Sequence, residues 1–206
     1  MAAAEHYFTE NPTSEVREIA FDTVFRGHSL RFVSVSGVFS FEPRVDKASA
    51  LLLEAFFPSG AENSVLDMGC GFGPIGLCLK AAHPELALTL TDINRRAVAY
   101  AGRNAAQNRL EVEVVQGDLY GGIGDRRFGD VVCNPPFAAG KAVNLQLIAR
   151  AREHLVPGGA LWLTAFHNKG GASLKKAMGD VFGNVTDVEK RGGIRVYRAI
   201  FDGAGE

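Results

Sequence analysis

Val65-Leu66-Asp67-Met68-Gly69-Cys70-Gly71-Phe72-Gly73-Pro74 decides how the chain is read. An apolar run that ends near an acidic residue and passes straight into alternating glycines reads as a strand whose carboxyl end turns sharply into a helix. Gly69, Gly71 and Gly73 have no Cβ, so the backbone can take positive φ and come close to a ligand, while Pro74 suits a first helical position that needs no N–H. Ile75 to Ala82 follows as the helix. Three alternating glycines exceed what a plain turn requires, so the stretch is read as a cofactor seat.

The glycines alone do not name the cofactor. Gly71-Phe72-Gly73-Pro74-Ile75-Gly76 also fits the G-x-G-x-x-G of dinucleotide sites. The next apolar run, Leu86 to Thr91, ends in Asp92, about 20 residues past the glycines, where a carboxylate can accept both hydroxyls of a ribose. Either reading predicts that residue. What separates them is Asp67 and, above all, Asn134-Pro135-Pro136-Phe137 after a later strand, because a dinucleotide enzyme does not need that tetrapeptide.

Working outward, residues 1 to 14 are polar and broken by Asn11-Pro12, which reads as an arm. Val16 to Phe25 and Leu30 to Val38 flank the polar turn Arg26-Gly27-His28-Ser29, giving a β-ribbon. Val45 to Phe57 carries Ala48, Leu51, Leu52, Ala55 and Phe56 at helical spacing. Beyond the central motif come a helix over Asn94 to Asn108, a strand over Val112 to Val115 ending at Gly117-Asp118, and a strand Asp130 to Cys133. Asn144 to Leu155 reads as a helix, Pro157-Gly158-Gly159 as a turn, and Ala160 to Phe166 as a fifth strand. Ser173 to Phe182 is a last helix, and Val185 to Glu189 with Ile194 to Phe201 close the chain as two strands. This alternation predicts an α/β fold with a doubly wound, mainly parallel sheet, whose ligand lies beyond the carboxyl ends of the strands. Asp67, Asp92, Asp118 and Asn134 all fall at those ends.

With 206 residues and 47% hydrophobic content, the chain suits one domain over 1–206, with 1–44 as arm and ribbon and 45–206 as core. A net charge of −1 gives no bulk attraction to nucleic acid, so any RNA contact rests on local patches. Cys70, Cys78 and Cys133 are odd in number and sit in apolar segments, which fits reduced thiols and no metal site. No apolar run approaches the roughly 20 residues that span a bilayer. Together with the lack of a basic-then-apolar start, this predicts a soluble, cytoplasmic protein.

The set Asp67-x-Gly69-x-Gly71-x-Gly73, Asp92, Gly117-Asp118 and Asn134-Pro135-Pro136-Phe137 resembles the class I S-adenosylmethionine (SAM) methyltransferases that act on planar exocyclic nitrogens. Ser36-Gly37-Val38-Phe39-Ser40, Asp46-Lys47-Ala48-Ser49 and Arg195-Val196-Tyr197-Arg198-Ala199-Ile200 narrow the likeness to the "methyltransferase small" family, typified by small-subunit (16S) rRNA guanine-N2 methyltransferases. The resemblance covers roughly residues 36 to 201. It implies a seven-stranded Rossmann-like sheet whose last strand is antiparallel. It also implies that Gly69, Gly71 and Gly73 approach the methionyl part of SAM, that Asp67 holds its amino group, that Asp92 takes the ribose hydroxyls and that Asp118 takes the adenine amine. The bacterial rRNA enzymes carry a further N-terminal domain, whereas here only a short ribbon precedes the core. The chain therefore looks like the compact single-domain members.

An exocyclic base amine is a poor nucleophile because its lone pair is delocalised into the ring. The Asn134 side-chain oxygen and the Pro135 carbonyl can accept its two hydrogens and localise the lone pair toward the SAM methyl, which Asn134 also borders. The prolines fix φ and remove N–H groups, and Phe137 would stack on a flipped-out base. Catalytic roles are accordingly assigned to Asn134, Pro135 and Phe137. Asp46 and Ser49 read equally as an ordinary helix start. Arg17, Arg26 and Arg31 on the ribbon suggest a contribution to RNA binding, and Lys141, Lys169 and Arg195 can also touch phosphates. The favoured partner is small-subunit rRNA or its ribonucleoprotein. Release-factor glutamine methylation, adenine-N6 methylation and a non-catalytic nucleotide-binding module are the alternatives, weakened respectively by Phe137, by the lack of a target-recognition insert and by the intact tetrapeptide.

Overall fold

A computed structural model describes residues 9–203, without the side chain of Phe137. Residues 1–8 of the expected arm lie outside that range. The first two strands, β1 (Glu18–Phe25) and β2 (His28–Val35), pair antiparallel with Phe25 opposite His28. Only Arg26 and Gly27 link them, with φ of 46° and 84°. Positive φ at both central residues is the type I′ geometry that matches strand twist, so the turn is tighter than the four polar residues suggest.

The chain continues through α1 (Lys47–Ala55), β3 (Ser64–Met68), α2 (Pro74–Ala82), β4 (Ala87–Asp92), α3 (Arg95–Gln107), β5 (Glu113–Gln116) and β6 (Phe128–Cys133). It ends with α4 (Lys141–Arg150), β7 (Leu155–Phe166), α5 (Gly171–Phe182), β8 (Thr186–Arg191) and β9 (Ile194–Ile200). Seven strands form one sheet in the order β5-β4-β3-β6-β7-β9-β8. The first five of that order are mutually parallel, and β9 runs antiparallel to both of its neighbours. This is the expected doubly wound sheet with its antiparallel last strand.

The central strands read as continuous apolar runs because both faces are covered, and every residue of β3 and β6 is buried. Side chains alternate between two cores. Val65, Leu88, Val132 and Trp162 face α1, α2 and α3, whereas Leu66, Val131, Leu161 and Leu163 face α4 and α5. The ribbon belongs to the first core. The rings of Phe21, Phe32 and Phe72 meet with centroids between 5.7 and 6.1 Å apart. Asn104, fully buried in α3, accepts from Val33 N and donates to the carbonyls of Val33 and Phe72, locking the ribbon to the glycine loop.

Two elements depart from the pattern read in the sequence. Pro157-Gly158-Gly159 does not leave the sheet but bulges within β7, where Phe128 pairs with Leu155 and Asp130 with Ala160. Gly158, at φ 84°, donates to Phe201 O while Phe201 N donates to Gly159 O, so the bulge keeps its backbone hydrogen bonds. The helix expected to reach Leu155 ends at Arg150 and tightens into a 3-10 turn over Ala151–His154. His154 packs there in parallel on Tyr120, ring centroids 4.3 Å apart.

The ribbon's tip points away from the ligand end. Arg26 donates to Phe56 O at 2.8 Å and lies 2.8 Å from His83 Nε2, and these two residues close α1 and α2 at their carboxyl ends. Arg31 N donates to Asn108, which closes α3. Helices that return from parallel strands end at the strands' amino edge. The expectation that Arg26 and Arg31 serve the substrate side is therefore corrected: both lie at the opposite end of the sheet. Arg17 stays at the ligand end, next to Ser36 and over the ring of Phe41.

Candidate active site

Gly69, Gly71 and Gly73 take φ of 69°, 58° and 91°, the left-handed backbone that a side chain disfavours. The loop is pinned to the next strand: Gly69 N and Cys70 N both donate to Thr91 O, and Gly71 N donates to Asp92 Oδ2 at 2.9 Å. Gly73 precedes Pro74, the first residue of α2. A Cβ on Gly76 would come within 3.0 Å of Asp67 Oδ2 and 3.1 Å of Leu88 Cδ2, so the third glycine of the alternative motif serves close helix-on-strand packing.

Beside this loop, at the carboxyl ends of β3, β4, β5 and β6, opens a cavity of about 250 Å³. Gly69, Asp92, Asp118, Asn134, Pro135 and Pro136 all line it, although they are drawn from four separate strand ends. A smaller recess of about 20 Å³ adjoins it, bordered by Gly71, Asp46, Ser49 and again Asn134. Phe137 begins a short 3-10 turn after the prolines, and its side chain lies outside the described residues.

Asp92 holds two turns together. Its Oδ2 takes Gly71 N–H and its Oδ1 takes Asn94 N–H at 2.9 Å. Two carboxylate oxygens offer about four acceptor positions, so capacity remains for a ligand hydroxyl. Burial raises its pKa, and backbone N–H groups of Asn94, Gly71 and Ile93 oppose that rise. Asn94 in turn caps α3 through Oδ1 and donates through Nδ2 to Gly37 O at 2.8 Å. That bond seats Val38 and Phe39 on the cavity wall. Asp118 is exposed at the rim, after a chain turn fixed by the bond from Gly117 N to Asp92 O.

Asp67 does not reach the cavity. It is fully buried, and its Oδ2 accepts from Gly76 N at 2.8 Å, giving one of the orphan N–H groups of α2's first turn an acceptor that the N-cap glycine cannot supply. The family resemblance implied a direct contact with the cofactor; its place on a strand covered on both faces turns it toward α2 instead. Its Oδ1 is buried without a hydrogen-bond partner. Burial pushes the carboxyl up to about 7, the nearby Asp92 adds to the rise and the Gly76 N–H opposes it. The ordinary value is 3.8, so folding favours the protonated form, and this contribution to stability is full below about pH 4 and lost as pH rises to about 7. Asp67→Asn, which cannot ionise, is expected to gain stability relative to the parent across that window. Thermal unfolding at pH 4 to 8 checks this, and parallel curves for the two proteins would contradict it.

Asn134 sits where β6 leaves the sheet. Its Nδ2 lies 3.1 Å from Ser49 Oγ and 3.3 and 3.5 Å from the two carboxylate oxygens of Asp46. Asp46 at the same time caps α1 by accepting from Ala48 N and Ser49 N. The sequence left Asp46 and Ser49 evenly placed between an ordinary helix start and a functional segment; the cap is there, and this helix start also touches the tetrapeptide 88 residues away.

Of the other candidates, Arg195 pairs with Asp187 at 2.9 Å and Lys169 lies over the Phe166 ring. Lys141 begins α4. The three cysteines are free and buried, and burial pushes the Cys78 thiol up to about 12. Among the described residues no helix is long and apolar enough to cross a membrane.

The model of the Methyltransferase small domain matches residues 29–198. YbxB of Bacillus subtilis (strain 168) is 33% identical over 198 residues, covering 95% of this chain and 98% of that protein. Ribosomal RNA small subunit methyltransferase C of Pseudomonas aeruginosa (strain LESB58) is 42% identical over 142 residues, covering 66% of this chain and 41% of that protein. Among solved structures, the T. thermophilus 16S rRNA N2 G1207 methyltransferase (RsmC), in complex with AdoMet and guanosine, aligns with a TM-score of 0.77 and 26% identity, over 92% of this chain and 52% of that one. The chain thus spans about half the length of the ribosomal RNA methyltransferases it matches. The match runs from within β2 to within β9 and takes in every strand end that builds the cavity, so the chain belongs to the methyltransferase small domain family of SAM-dependent methyltransferases.

Proposed function

We propose that this chain methylates the exocyclic N2 of a guanine in small-subunit rRNA, in the cytoplasm, with 1–206 acting as one domain. The observation that carries this reading is Asn134 and Pro135 opening onto the same cavity as Asp92 and Asp118. A cofactor and an amine-bearing base can then meet across one wall.

The donor set suits SAM. Asp92 would accept from the ribose hydroxyls, Asp118 from the adenine amine, and the Gly69 to Gly73 backbone would lie against the methionyl part. Asp67 would act through the loop, by anchoring α2 beneath it. When bound, SAM supplies a methyl group on a positively charged sulfur.

This chain's residues then have to make a weak nucleophile attack. Asn134 Oδ1 and Pro135 O accept the two amine hydrogens, which pyramidalises the nitrogen and aims its lone pair. This is preorganised electrostatics and proximity, and the attack needs no titrating base because the methylated nitrogen sheds its proton afterwards, to solvent. Pro135 and Pro136 stiffen the loop and offer no N–H that would compete for those acceptors. Phe137 would stack on the base, an interaction that tolerates any planar ring.

The likeness to rRNA methyltransferase C proteins and to the guanosine complex supports rRNA over other acceptors. The test is a panel: labelled SAM with 16S rRNA, small ribosomal subunits, tRNA, DNA and a release factor in separate reactions. Label in 16S rRNA or in the subunit is expected. Label in the release factor alone would favour the glutamine reading and overturn this one.

A further inference from the structure

We infer that Asp46 and Ser49 are positioning residues for methyl transfer, holding the Asn134 amide so that its oxygen, and not its nitrogen, meets the acceptor amine. The inference rests on the proposed role of Asn134.

A primary amide has two ends of nearly equal size and opposite polarity. Turned one way, Asn134 offers the cavity an acceptor. Turned the other way, it offers two donors to an amine whose hydrogens are donors too, which repels the substrate group it should orient. Nothing in the shape of the side chain chooses between the two. Asp46 does, because an ionised carboxylate can only accept, and it lies 3.3 and 3.5 Å from the amide nitrogen. Ser49 Oγ, buried and 3.1 Å away, gives the same NH2 group a second acceptor. The far end, Oδ1, is left as the acceptor for the site.

The carboxylate is itself fixed. Asp46 Oδ1 takes the N–H groups of Ala48 at 2.9 Å and Ser49 at 3.2 Å, so the start of α1 holds it in one rotamer. Helix α1 packs against the sheet through buried Leu51, Leu52 and Phe56. The contact joins residues 88 positions apart. A residue serving only as a helix cap would have no need to face Asn134.

The test is a double-mutant cycle in single-turnover transfer from labelled SAM to 16S rRNA, with SAM affinity measured beside it. Asp46→Asn keeps a residue that caps a helix as well as aspartate does and keeps the capping Oδ1, 3.3 Å from Asn134 Nδ2, but it replaces Oδ2, at 3.5 Å, with an NH2 that faces the NH2 of Asn134. Transfer is expected to fall about 10- to 100-fold, the scale of a small misplacement of a reacting group, with SAM affinity and thermal midpoint unchanged. Ser49→Ala should fall by less. On an Asn134→Ala background, Asp46→Asn should cost nothing further, because no amide is left to orient. Full activity of Asp46→Asn, or an equal loss on the Asn134→Ala background, would overturn the inference. A fully active Asn134→Ala protein would instead sink the reading of Asn134 itself. Asn134→Ala slow with Asp46→Asn at full speed would remove the orienting role alone.

Discussion

Replacing Asn134 with alanine is expected to slow methyl transfer by on the order of 10²–10³, the usual effect of removing one preorganised polar contact from a reaction. The affinity for SAM should stay nearly unchanged, because the ribose and adenine contacts proposed for Asp92 and Asp118 lie on other strand ends. An interaction made only as the amine turns toward its target appears in the rate of the step and not in ground-state binding. Asn134 is half-buried at the end of β6 and borders a recess that is already open, so its shortening to alanine should leave the fold in place. Single-turnover rates with saturating SAM and 16S rRNA check this. A rate equal to the parent's would mean that Asn134 is a turn residue.

The second large effect is on the cofactor. Asp92→Ala removes a carboxylate that the proposal places on two ribose hydroxyls, each charged hydrogen bond contributing about 1.5–3 kcal/mol. It also strips Gly71 N–H and Asn94 N–H of their acceptor, which loosens the glycine loop and the start of α3 together. SAM affinity should therefore fall at least about tenfold. Asp92→Asn, which keeps one acceptor oxygen, should lose less. Calorimetric titration distinguishes the variants, and parent-like binding by Asp92→Ala would remove this residue from the cofactor site.

Much of this geometry is legible in the sequence. Glycine is the residue that takes positive φ without strain, so Gly69, Gly71 and Gly73 announced a loop of left-handed backbone, and the loop has it. Apolar runs ending in Asp92, Gly117-Asp118 and Asn134 announced parallel strands with their polar ends together, and the cavity gathers those residues. The family resemblance was legible in the same segments.

What sequence could not give is direction and distance. Asp67 precedes the glycines by two residues, which suggests contact with the same ligand, but strand alternation turns its side chain toward α2. Arg26 and Arg31 are basic residues on a ribbon that leads into the site, yet a two-residue hairpin puts them at the far edge of the sheet. Gly158 and Gly159 look like a chain reversal because a bulge inside a strand uses the same residues as a turn. The link from Asp46 to Asn134 had no local signature at all. Asp46 satisfies every requirement of a helix cap, and only the fold, which packs α1 on β7 and β9 and so sets its start at the end of β6, reveals its second partner.

The proposed reaction is methylation of an exocyclic base amine in this cavity, guanine N2 of small-subunit rRNA. The most direct measurement is to label 16S rRNA with the parent protein and radioactive SAM, digest the RNA to nucleosides and separate them. The label is expected to run as N2-methylguanosine and to be nearly absent when Asn134→Ala replaces the parent. Label in N6-methyladenosine, in a ring-carbon or ribose methyl group, or at full level with Asn134→Ala would contradict it.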